Sequence, residues 1–115
     1  MQDFAGKVAV VTGAGSGFGR EFARIGAGLG MNLSLADIQP EALAATADEL
    51  RALGAQVIAE TVDVSRGDDV ARLAQRTLDA FGAVHLLFNN AGVAAGGLVW
   101  ESTVKDWEWV LGVNL

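Results

Sequence analysis

A glycine-rich stretch, Thr12-Gly13-Ala14-Gly15-Ser16-Gly17-Phe18-Gly19, constrains this chain more than any other part of it. It follows the apolar run Val8-Ala9-Val10-Val11 and leads into Phe18, Phe22, Ile25 and Leu29, which recur at helical spacing. A continuous run rich in β-branched residues suits a parallel strand buried on both faces. The order is therefore strand, tight turn, helix. In such a turn Gly13, Gly17 and Gly19 allow positive φ, close approach of a ligand to the backbone, and tight packing of helix on strand. The free N–H groups and positive dipole end of the helix would face an anionic group such as a pyrophosphate.

The rest of the chain repeats the alternation. Gly30 stops the first helix, and Met31 to Ala36 reads as a second strand closed by Asp37. Pro40 stands in the first turn of a second helix whose apolar face is Leu43, Ala47 and Leu50, ending at Gly54. Gln56 to Val64 is expected as strand three. Ser65 with Asp68 three residues on suggests an N-cap pair for a third helix, which buries Val70, Leu73, Leu78 and Phe81 and stops at Gly82. Val84 to Phe88 is strand four, running into Asn89-Asn90-Ala91-Gly92. After a glycine-rich loop over Val93 to Leu98, a last helix begins near Thr103 and continues to Leu115. Short connections between alternating strands and helices impose right-handed crossovers. The expected fold is α/β, a doubly wound parallel sheet with strand order 3-2-1-4, whose cleft opens at the carboxyl ends of strands one and four.

Composition removes several functional classes. With 115 residues, 51% of them apolar, the chain is long enough for one domain with a core. It has no cysteine, which excludes disulfides and thiolate chemistry, and its one histidine and scattered carboxylates give little basis for a metal site. A net charge of −6 without a basic tract argues against nucleic acid and anionic membranes. No apolar run approaches the roughly 18 residues of a membrane helix. A soluble cytoplasmic protein is the default reading.

The glycines fall as Thr-Gly-x-x-x-Gly-x-Gly rather than Gly-x-Gly-x-x-Gly. That spacing, together with Asp37, Asp63-Val64, Asn89-Asn90-Ala91-Gly92 and Val113-Asn114-Leu115, resembles the short-chain dehydrogenase/reductase family of NAD(P)-dependent oxidoreductases. The resemblance implies a Rossmann-type NAD(P)-binding domain over residues 1–115. It places Gly13, Ser16, Gly17, Phe18, Gly19, Asp37, Ile38, Asp63, Val64, Asn90, Ala91 and Gly92 around the cofactor.

Asp37 lies 18 residues after Gly19, where a carboxylate accepts hydrogen bonds from the ribose hydroxyls of NAD and repels the 2′-phosphate of NADP. Ser16 and Ile38 occupy the positions where NADP binders carry a basic residue, so NAD is expected over NADP. The competing reading of Asp37 is a helix-capping aspartate. In the resembling family, Asp63 meets the adenine amino group through its side chain and Val64 through its backbone. A turn-capping role for Asp63, with Ser65 as rival, stays open. The resemblance assigns Asn114 to a catalytic tetrad, where its carbonyl holds a water of the proton relay. His85 reads as a structural or exposed histidine, and Trp100, Trp107 and Trp109 as packing or interface residues.

The family's catalytic serine and Tyr-x-x-x-Lys would lie on strand five and the following helix, and this sequence has no tyrosine. The chain is thus expected to be the amino-terminal part of a longer enzyme, truncated before strand five and inactive alone. The full-length parent would be an NAD-dependent oxidoreductase of a small or lipophilic secondary alcohol or ketone. A homo-oligomer, dimer or tetramer, is implied, with no nucleic acid and no membrane partner. The alternative is a non-catalytic dinucleotide-binding module. A methyltransferase is disfavoured by Thr12, where its loop would carry an acidic residue.

Overall fold

The computed structural model describes residues 4–90. Four parallel strands, β1 (Val8–Thr12), β2 (Asn32–Asp37), β3 (Val57–Thr61) and β4 (Leu86–Asn89), alternate with three helices, α1 (Gly17–Gly28), α2 (Pro40–Ala52) and α3 (Gly67–Phe81). The sheet order is β3-β2-β1-β4, the order expected of a doubly wound sheet. Thr12 pairs with Ala36 on one side and Asn89 on the other, and Asp37 pairs with Thr61. The strand ends thereby come level at one edge of the sheet.

The period-two alternation of each strand divides the core. Ala9, Val11, Leu33 and Leu35 pack with Ala23, Leu43, Ala47 and Leu50 on one face. Val10 and Ala36 pack with Val70, Leu73, Ala74 and Val84 on the other. All five residues of β1 are buried, as a central parallel strand demands. On the α3 side, Ser34 and Thr77 share a buried 2.6 Å hydrogen bond, and Thr77 Oγ1 also donates to the Leu73 carbonyl. Each hydroxyl is thereby satisfied inside an apolar layer.

The apolar stripe of α1 sets the helix phase but not its buried face. Gly19, Ala23 and Gly26 face the sheet, whereas Phe18, Ile25 and Leu29 are exposed. Phe22 is the stripe's contact with the sheet, its ring stacked on Phe88 with centroids 4.3 Å apart. The reason is the short distance between helix and strands. A β-carbon on Gly19 would stand 2.7 Å from the carbonyl carbon of Gly13, and one on Gly26 would stand 3.1 Å from Leu33 Cδ2.

Two boundaries differ from expectation. β3 ends at Thr61, not Val64, because its partner β2 ends at Asp37; Val62 makes one further bond to the Asp37 carbonyl before the chain turns away. Nor do Ser65 and Asp68 cap α3. Arg66 is the N-cap and supplies no side-chain bond, while Asp69 Oδ2 accepts from the backbone N–H of Asp63. Gly82, in the left-handed region at φ 78°, ends α3 as expected. The expected loop over 93–98 and the last helix lie outside the described residues.

Candidate cofactor-binding site

The site is built from the carboxyl end of β1 upward. Gly13 (φ 66°) and Gly17 (φ 58°) adopt left-handed conformations, which turn the chain from strand to helix within four residues. The Ala14 N–H donates to the Ala36 carbonyl at 3.0 Å, prolonging the junction with β2. Gly19 packs against the Gly13 backbone, so α1 starts directly over the turn. Ser16 is the N-cap, with no side-chain capping bond, and no acidic residue stands in the first turn of α1. The other two helices do carry acids there, Glu41 in α2 and Asp68 and Asp69 in α3. An amino-terminal helix end normally recruits negative charge. At α1 it is left bare, and a β-carbon on Gly17 would meet nothing within 4 Å. With no acid in the first turn and open space at Gly17, the backbone N–H groups at this helix end fit a pyrophosphate.

Asp37 stands beside the glycine turn. Its Oδ2 accepts from Gly15 N–H at 2.8 Å and its Oδ1 from Gln39 N–H at 2.9 Å. The N-cap of α2 is Gln39, two residues on, which makes no side-chain bond of its own. The Asp37 carboxylate binds two loops together. Ile38, next in the chain, is an exposed apolar residue at the same strand end.

Asp63 stands at the start of the third crossover, between β3 and α3. Its Oδ1 accepts from both the N–H (2.9 Å) and the hydroxyl (2.6 Å) of Ser65. Those bonds, led by the hydroxyl, hold its carboxyl below the usual range. Val64 is half-buried against the α3 face of the core. At the end of β4, Thr12 Oγ1 donates to Asn89 Oδ1 at 2.8 Å, so the first asparagine of the pair ties β4 to β1. Asn90 follows at the mouth of the cleft in irregular backbone. Ala91, Gly92 and Asn114, and the tryptophans at 100, 107 and 109, lie outside the described residues.

His85 is exposed, yet it has a structural role. Its Nδ1 accepts the Val8 N–H at 3.0 Å while its own N–H donates to the Val8 carbonyl at 2.9 Å. Gly15 is the residue that the motif spacing alone did not single out. It is buried, and a β-carbon there would stand 2.8 Å from Ala42 Cβ. Only its position as a glycine within the variable part of the turn hints at this.

A shallow pocket lined by Gly30, Asn32, Gly54 and Gln56 lies at the opposite end of the strands and contains no titratable side chain. Among the described residues no group of three histidine or carboxylate side chains could hold a metal ion, and no helix is long and apolar enough to cross a membrane.

Comparison with known proteins agrees with this fold. The family model described as short chain dehydrogenase matches residues 7–115. The "CLA biosynthesis dehydrogenase/reductase" of Lactiplantibacillus plantarum is 40% identical over all of this chain and 40% of its own length. The cyclohexanol dehydrogenase of Acinetobacter sp. is 36% identical over 97% of this chain and 45% of its own length. The chain thus spans about two-fifths of the curated relatives it matches. A crystal structure of a short chain dehydrogenase/reductase from Burkholderia phymatum in complex with NAD is 63% identical, with a TM-score of 0.79 over 100% of this chain and 41% of that one.

Proposed function

We propose that this chain, which belongs to the short chain dehydrogenase family, is the NAD-binding part of an oxidoreductase that interconverts a secondary alcohol and a ketone. The observation that carries the reading is the amino terminus of α1, which keeps its first turn free of acids and leaves open space at Gly17 while the other helices recruit carboxylates. Gly13, Ser16, Gly17, Phe18 and Gly19 would surround the pyrophosphate, with backbone N–H groups as donors. Asp37 would accept from the ribose hydroxyls of the adenosine half, and its charge would disfavour a 2′-phosphate. Ile38, Asp63 and Val64 would flank the adenine, and Asn90, Ala91 and Gly92 the nicotinamide ribose. Bound NAD supplies the hydride acceptor. Asn114 is proposed as this chain's contribution to the proton relay of the full-length enzyme, which we take to be a cytoplasmic homo-oligomer.

The test is calorimetric titration of the full-length protein with NAD and NADP, followed by a dehydrogenase assay on a panel of secondary alcohols. Tighter binding of NAD and turnover of at least one alcohol are expected. Equal affinity for both cofactors would contradict the role of Asp37. NAD binding without turnover on any alcohol would instead favour a non-catalytic dinucleotide-binding module.

A further inference from the structure

The two oxygens of Asp37 are already engaged by the protein's own backbone. Oδ2 holds Gly15 N–H at 2.8 Å and Oδ1 holds Gln39 N–H at 2.9 Å. Gly15 and Asp37 are 22 residues apart in sequence, so the first of these bonds is tertiary. It acts in parallel with the Ala14 N–H to Ala36 carbonyl bond, and together they suspend the glycine turn from the end of β2. The fit is close. A β-carbon on Gly15 would stand 2.9 Å from Asp37 Oδ2 as well as 2.8 Å from Ala42 Cβ. A carboxylate offers about four acceptor directions, so two amides leave capacity on the same oxygens for hydroxyl donors.

We propose that Asp37 is a positioning residue for the glycine turn: it fixes the phosphate-facing loop before any cofactor arrives. The inference rests on the NAD-site reading above and extends it. Cofactor choice and loop geometry share one carboxylate, so they cannot be exchanged independently. A side chain without an acceptor at position 37 removes the repulsion of a 2′-phosphate but also releases the turn. The preference for NAD then narrows because NAD binding falls, not because NADP binding rises.

The experiment uses the full-length protein without cofactor and reads hydrogen exchange at the Gly15 amide, then the affinities for NAD and NADP. Exchange at Gly15 should be slow in the unaltered protein and accelerate about tenfold or more in Asp37→Ala, the scale of one lost charge-assisted hydrogen bond. Asp37→Asn retains a carbonyl acceptor and should keep much of the protection. Gly15→Ala keeps the carboxylate but crowds it, and should weaken both cofactors. Unchanged exchange at Gly15 in Asp37→Ala, or a tenfold gain in NADP affinity by that variant, overturns the proposal. Failure of the unaltered protein to bind either cofactor refutes the function proposed above and leaves the exchange measurement to decide the turn-holding role by itself.

Discussion

The hydroxyl of Thr12 donates to Oδ1 of Asn89 at 2.8 Å, fastening the carboxyl ends of β1 and β4 where the sheet reverses its order. Thr12 is 1% exposed and Asn89 is half-buried, so the bond is largely shielded and its acceptor is costly to abandon. Thr12→Val preserves the shape and removes the donor. We expect a loss of about 1–3 kcal/mol in urea unfolding of the full-length protein, together with weaker NAD binding. An unchanged unfolding midpoint would show that the tie is energetically idle.

Gly17→Val separates the cofactor site from the fold. The added side chain enters open space, so no packing is lost, but a β-branched residue at φ 58° carries about 1–3 kcal/mol of backbone strain. It would also occupy the place proposed for the pyrophosphate. Calorimetry should show no NAD binding, while far-UV circular dichroism stays near that of the unaltered protein. Undiminished binding would move the phosphate site elsewhere.

Two other glycines of α1 allow a graded comparison. At Gly19 a β-carbon would meet backbone atoms of Gly13 and Thr12, which cannot step aside without moving the turn. At Gly26 it would meet the tip of Leu33, a side chain able to yield a few tenths of an ångström. Gly19→Ala should therefore cost about 1–3 kcal/mol and cofactor binding with it, and Gly26→Ala should cost less and leave binding intact. Thermal unfolding of the two variants side by side decides it; equal losses would remove the argument from close packing.

A pH dependence follows from the clasp between α1 and α2. Glu49 receives Arg20 at 2.9 Å and Arg24 at 2.7 Å. Hydrogen bonds from Arg20 and then Arg24 hold its carboxyl below the usual range. With the folded value depressed, the clasp stabilises in full above the ordinary carboxylate range and is lost as pH falls through the lowered folded value. Glu49→Gln should lower Tm at neutral pH and flatten its decline on the acid side. Parallel Tm profiles for variant and unaltered protein would assign the acid sensitivity to other groups.

Order and type of the elements among the described residues were legible in the sequence alone. Continuous apolar runs mark buried parallel strands, glycines mark the turns and stops, and handedness narrows the sheet orders to a few, of which the structure adopts the expected doubly wound one. Asp37 was legible as a candidate because a strand end and its distance from the glycine turn are local facts. Its bond to Gly15 was not, since that depends on how closely two crossovers approach in space. The same limit applies to α1. Periodicity identified the Phe18–Leu29 stripe, but the proximity of helix to sheet gave the buried positions to Gly19, Ala23 and Gly26. Asp63 and Ser65 show it once more, because several side chains there could cap a neighbouring backbone, and the tertiary position of Asp69 decided which one meets the Asp63 amide. A sequence sets which groups are available and the period at which they recur. The distance between packed elements decides which of them touch, and that distance belongs to the folded chain as a whole.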